Sequence, residues 1–294
     1  MAKTTLTTRK PPKEIGQDLR MLVAKTTVRL HPRHGPEPEI SASKLGGHIL
    51  WPAKETWPMC EEHNTALVPI LQLRGQDFAE LELPKDADLL QVLWCPRDHE
   101  DIGCCPAPRV FLRKVADLIA TLETYPEPKE SDEDSLEDYI PAPCCLHPER
   151  VTEYPSPFEL SEQVLDSIDT WVDKNIREKK WLDEDESVYQ YLLSTAPGTK
   201  IGGYVDWVQD PEIPMCGCGL EMQHLLTIAS AEFDGGSHYR WCPIEEEHLW
   251  KSSYEARAAA QFAAGLMLGD MGSLYLFVCR RCQPWSLKPI FQCS

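Results

Sequence analysis

The chain has 294 residues, 42% of them hydrophobic, and carries 47 acidic against 29 basic side chains for a net charge of −18. That length and apolar content suit a globular protein with a real core, in one large or two medium domains, and exclude a disordered chain. The acid excess repels phosphate backbones, which argues against nucleic acid as a partner and for a basic protein, unless the charge serves solubility alone.

The first residues, MAKTTLTTRKPPKE, hold no apolar stretch and predict no signal peptide, and no run of about 18 apolar residues predicts a membrane span. The expected location is therefore cytoplasmic. In a reducing compartment the 12 cysteines point to metal binding or buried thiols rather than a disulfide framework.

Residues 1–40 read as a polar, proline-bearing segment with one strand over 21–30. A repeat then begins. Lys44-Leu45-Gly46-Gly47, Trp51 and Pro58-Met59-Cys60 recur as Lys200-Ile201-Gly202-Gly203, Trp207 and Pro214-Met215-Cys216, every pair 156 positions apart (200 − 44, 207 − 51, 216 − 60). One register held across so many identities predicts an internal duplication. Residues 67–73 (LVPILQL) pair with 222–228 (MQHLLTI), and 90–95 (LQVLWC) with 274–279 (LYLFVC). These short apolar runs predict strands, and the paired glycines predict a turn with positive φ.

The organisation read from this is a first repeat over 41–124, an acidic linker with helices over 125–196, and a second repeat over 197–294. Helices are predicted over 159–174, over 184–193, and over 254–267 ending at Gly269-Asp270. The fold class is α+β: two related, mostly antiparallel sheet lobes with added helices.

Cys216-x-Cys218 precedes one predicted strand of the second repeat, and Cys279-x-x-Cys282 ends another. Two such pairs on neighbouring strand ends can converge on a tetrahedral, structural zinc site, the alternative being four buried thiols. The first repeat offers Cys60-x-x-His63 and Cys95-x-x-x-His99 in the corresponding places, a second possible site. Cys104-Cys105 and Cys144-Cys145 are adjacent pairs, poorly spaced for one ion. A zinc with four protein ligands has no position for water or substrate, so it folds a protein rather than catalysing. No G-x-S-x-G, H-E-x-x-H or phosphate-binding glycine loop is present, and Glu245-Glu246-Glu247-His248 reads as a solvated face.

These motifs resemble a bacterial family of unknown function, the YwqG-like proteins, through Lys44-Leu45-Gly46-Gly47 with Trp51-Pro52, residues 67–73, Lys200-Ile201-Gly202-Gly203 with Trp207, and residues 272–277. The resemblance covers roughly 40–294 and implies a duplicated α+β fold; some members look like antitoxins. The succession G-G-x-x-x-W, cysteine pair, apolar strand and F-x-C-x-x-C is also similar to programmed-cell-death-protein-two relatives, zinc-containing chaperones of a basic ribosomal protein. That likeness implies Cys216, Cys218, Cys279 and Cys282 as metal ligands, although those relatives tend to have C-x-x-C where this chain has Cys216-x-Cys218. The expected function is binding of a basic protein, as a chaperone or immunity protein, without catalysis. The alternative is an enzyme with its site in a cleft between the two repeats.

Overall fold

The computed structural model describes residues 5–10, 22–102, 105–129, 136–175 and 187–294. Met21, Cys104 and the start of the predicted 184–193 helix lie outside them.

Fourteen strands are described: β1 Lys25–Arg29, β2 Pro32–His34, β3 Lys44–Leu45, β4 Met59–Cys60, β5 Thr65–Ala66, β6 Val68–Arg74, β7 Leu89–Trp94, β8 Pro108–Arg113, β9 Cys144–Leu146, β10 Glu149–Glu153, β11 Lys200–Ile201, β12 Gln223–Ala229, β13 Ser273–Cys279 and β14 Ser286–Gln292. They form two six-stranded sheets and a small β4–β5 hairpin. The first sheet runs β2-β9-β3-β6-β7-β8 and the second β10-β1-β11-β12-β13-β14, with every pairing antiparallel. In each, a two-residue strand carrying the motif lysine leads into three long neighbours. The ladder slips by one residue between Pro69 and Leu71 in the first sheet and between His224 and Leu226 in the second.

Strand alternation explains how both faces of the central strands are buried. On β7, Leu90, Val92 and Trp94 face one way; on β13, Leu274, Leu276 and Val278 do the same, and all six belong to one cluster fed by both sheets. That shared core fills the interface between the sheets, so they are two layers around one interior rather than lobes about a cleft. The opposite residues enter two smaller outer clusters. Leu93 and Cys95 join Trp51, Trp57 and Cys60, while Tyr275, Phe277 and Cys279 join Trp207, Cys216 and Met222. Each motif tryptophan thus seals the outer face of its sheet.

The segment read as linker and helices also supplies two strands. β9 completes the first sheet beside β3, and β10 forms the edge of the second beside β1. Conversely, β1 belongs to the second sheet and β2, three residues later, to the first. The chain therefore crosses between the layers at 30–31 and again at 147–148.

Helices are α1 Glu162–Asn175, α2 His238–Trp241, α3 Glu247–Trp250 and α4 Tyr254–Gln261. α1 packs Ile168, Trp171 and Val172 against Tyr189, Leu192 and Leu193. It starts later than the predicted 159, because Pro157–Glu159 form a separate 3-10 turn capped by Ser156. Of the predicted 184–193 helix, the described part is a single wide turn over Tyr189–Leu193. α4 is shorter than the predicted 254–267: after Phe262 the chain turns at Ala263-Ala264 through Gly265, whose φ is 69°, and Ala264, Leu266 and Leu268 enter the shared core. Burying alternate residues there replaces helical hydrogen bonds with contacts such as Met267 N to Asp138 O at 2.9 Å.

The acidic run at 245–247 is not a bare solvated face. Glu245 accepts from the Thr7 backbone at 2.9 Å, Glu246 takes both the Nε and Nη2 of Arg33, and Glu247 pairs with Arg9. It anchors the N-terminal segment to the second half of the chain.

Candidate metal centres

The first centre is built at the end of the β4–β5 hairpin and the end of β7. Cys60 closes β4, and His63 sits in the tight turn whose Asn64 adopts φ 46°, returning the chain to Thr65. Cys95 directly follows β7, and His99 is fixed by its backbone N–H to Cys105 O at 3.2 Å. The Cys60 Sγ lies 3.7 Å from His63 Nδ1 and 3.4 Å from His99 Nε2, and the Cys95 Sγ lies 3.4 Å from His63 Nδ1. With zinc–sulfur bonds of about 2.3 Å and zinc–nitrogen bonds of about 2.0 Å, a tetrahedron has sulfur–nitrogen edges of about 3.5 Å.

Groups around this centre favour the ligating form of each imidazole. His99 Nδ1 is 2.9 Å from Arg97 O, which fixes its proton there and leaves the Nε2 lone pair toward the sulfurs. Glu62 places one oxygen 3.8 Å from His63 Nε2, the nitrogen turned away from the sulfurs. Burial, with the Cys60 sulfur next in weight, pushes the Cys95 thiol up to about 12, so ionising it calls for a cation. A cavity of about 230 Å³, lined by Cys60, Glu62, Cys95, His99 and Arg109, opens onto the centre and gives an ion a way in.

The second centre repeats the plan with sulfur alone. Cys216 and Cys218 lie in a tight loop whose ends pair through Met215 and Glu221, and Cys279 ends β13 with Cys282 in the following turn. The Cys216–Cys282 and Cys218–Cys279 sulfur separations are both 3.7 Å, and Cys279–Cys282 is 4.0 Å. Four zinc-bound thiolates would stand about 3.8 Å apart, whereas a disulfide needs about 2.0 Å. The Cys218 backbone N–H does most to pull the Cys216 thiol down to about 6. Cys216 in turn raises Cys282 to about 12. One thiolate forms readily and holds back its neighbours, an imbalance that a divalent cation removes.

All eight sequence-predicted ligands thus fall into two groups, each with ligand atoms within 4.8 Å of one another, and each could hold a metal ion. The other described cysteines stay outside them. Cys144 is buried in the shared core, Cys105 donates to Ile102 O, and Cys242 and Cys293 lie elsewhere. The sequence reading did not find Glu62 or the Arg97 carbonyl. A glutamate beside C-x-x-H was the available sign of the first; a backbone carbonyl leaves none.

Among the described residues no helix is long and apolar enough to cross a membrane. None of the curated proteins compared with it matches the chain. Residues 43–281, more than half of the chain and holding every ligand of the two centres but Cys282, match the domain of unknown function DUF1963, and the chain belongs to that family.

Proposed function

We propose that this protein is a zinc-stabilised, non-catalytic binding protein that takes a basic protein as its partner. The observation that carries the zinc assignment is the spacing of the two tetrads: every measured edge, 3.4–3.7 Å in the first and 3.7–4.0 Å in the second, lies close to that of tetrahedral zinc. Cys60, His63, Cys95 and His99 hold one ion, and Cys216, Cys218, Cys279 and Cys282 the other. Both are closed coordination spheres that pin the outer layer of each sheet.

The constant 156-residue register, the like strand order and the like ladder slips support an origin by duplication, as in YwqG-like proteins. The partner's chemistry rests on the net charge of −18, which speeds encounter with a basic surface. Elemental analysis of protein purified without chelator tests the metal, with two zinc ions per chain expected. Partner capture at two salt concentrations tests the rest: a stoichiometric basic protein should be held at low salt and released as ionic strength rises. Protein that carries no metal, or that captures only nucleic acid, would overturn the corresponding half of the proposal.

A further inference from the structure

The two centres differ in what an oxidant can do to them. In the first, two of the four ligands are imidazoles, and the two sulfurs belong to Cys60 and Cys95, which are 6% and 0% exposed. In the second, all four ligands are sulfur. Cys216 and Cys279 are buried, Cys282 is half-buried and Cys218 is exposed. Cys218 owes that exposure to its loop. Leu220 O accepts from Cys216 N at 2.8 Å, and Cys216 O accepts from Gly219 N at 2.9 Å, a tight turn with Cys218 at its tip. Gly217 and Gly219 flank it, and a Cβ on either would meet nothing within 4 Å. Solvent therefore reaches Cys218, and the backbone around it has room to shift.

The sulfur facing Cys218 is that of Cys279, 3.7 Å away at the end of β13. A disulfide needs about 2.0 Å, so closing this pair takes a movement of about 1.7 Å, the difference between 3.7 and 2.0. Resting on the zinc reading above, we propose that Cys218 is an oxidation site and that the second centre is a peroxide-responsive zinc switch, in which Cys218 and Cys279 close a disulfide and the centre gives up its ion. The Cys218 thiolate attacks one oxygen of hydrogen peroxide. The O–O bond breaks, leaving a sulfenic acid and hydroxide. The Cys279 thiolate then attacks the Cys218 sulfur, forming the S–S bond and expelling a second hydroxide. Two electrons pass from the sulfurs to peroxide. Cys216 and Cys282 each take up a proton as the ion departs, and two further protons turn the hydroxides into water. The first centre has no equal route: peroxide leaves its imidazole ligands unchanged, and both its sulfurs are buried.

The test treats the full-length, zinc-loaded protein with hydrogen peroxide, follows release with a zinc-sensitive dye, and maps the cysteines by alkylation and mass spectrometry. One of the two zinc ions should leave early, as the Cys218–Cys279 bridge appears, while the other stays at least about tenfold longer. A thiol reductant with added zinc should restore the metal content. Cys218→His removes the thiol at the tip and keeps a ligand there, since three cysteines and a histidine also hold structural zinc. In that variant the second zinc should survive peroxide about tenfold longer than in the unaltered protein. Equal release from both centres, a first bridge other than Cys218–Cys279, or a Cys218→His variant as sensitive as its parent overturns the inference. Protein that holds no zinc before treatment would sink the zinc assignment instead, and the mapped bridge would still decide this one.

Discussion

Lys200 and Glu153 form an ion pair 2.9 Å long with no solvent exposure on either side chain. They lie on β11 and β10, which flank β1 in the second sheet. Glu153 also accepts from Ala196 N at 2.7 Å and from Tyr204 N, so its carboxylate ties the Lys-Ile-Gly-Gly motif to the sheet edge. Lys44, the matching lysine, is satisfied differently. Its ammonium donates to Pro38 O at 3.0 Å and His48 O at 2.6 Å, and burial pulls it down to about 8.

Breaking the buried pair should be costly, because it strands a charge in the interior. Glu153→Leu is expected to destabilise the protein by about 3–5 kcal/mol. Adding Lys200→Met should recover part of that loss. Urea denaturation of the metal-loaded protein measures both, and equal losses in the single and double variants would contradict an energetic pair.

The motif glycines separate conformational cost from collision. Gly202 and Gly203 have φ of 66° and 75°. A Cβ on Gly202 meets nothing within 4 Å, whereas one on Gly203 comes within 1.9 Å of Glu153 Oε1 and 2.7 Å of Thr27 Cβ. Gly202→Ala should cost about 1–2 kcal/mol, the left-handed penalty alone. Gly203→Ala should cost clearly more, and similar midpoints for the two in thermal melts would refute the contact.

The two centres should lose metal independently. Cys279→Ser is expected to leave one zinc per chain, on the first centre, and Cys95→Ser to leave one on the second. Both should lower the thermal midpoint, since binding free energy at such sites is folding free energy. A single substitution that empties both centres would show them to be coupled.

Acid should destabilise the protein partly through two buried imidazoles. Burial holds His31 and His224 neutral, each with its pKa lowered from 6.5 to about 3. The unfolded chain then binds more protons than the folded one below about pH 6.5, so stability present above that pH falls as the pH drops toward 3. His224 spends its nitrogens on Gly202 O at 3.1 Å and Thr227 Oγ1 at 2.9 Å. In His31→Gln and His224→Gln, stability should fall less steeply between pH 6.5 and 4.5 than in the unaltered protein. Comparing variant with parent cancels proton uptake by the cysteines; parallel slopes would contradict the prediction.

The parts of the fold legible in the sequence are those that identical residues or unbroken apolar runs announce. β6, β7, β12 and β13 are almost wholly buried, and their side chains say so. The tetrads were legible because Cys95 and Cys279 terminate such runs. β9 and β10 were not, because Cys144-Cys145-Leu146 is only three residues long and Glu149-Arg150-Val151-Thr152-Glu153 is largely polar, as edge strands are. The end of α4 was misread because the alanine-rich run continues past Gln261, and the helix instead stops in a turn at Gly265, whose positive φ leads the chain into the shared core. The spacing of Asp206, Asp210 and Asp270 pairs no two carboxylates, and the bonds Asp206 makes to Thr195 and Tyr275 were not legible, since nothing local connects those segments to it.

The crossing of β1 and β2 between the layers has a consequence for the order of events at the ribosome. β1 finds its neighbours in β10 at 149–153 and in β11 at 200–201, more than a hundred residues downstream. Until those residues emerge, Val28, fully buried in the finished protein, has no ladder to join and no layer to cover it. The first sheet's strands all lie before residue 147, but the second sheet cannot be completed from a half-length product, and pairings this distant in sequence form slowly. A nascent chain of this protein therefore carries β1 unpaired until residues 149–153 have been made, a period when a holding factor or a quick second half decides between folding and aggregation.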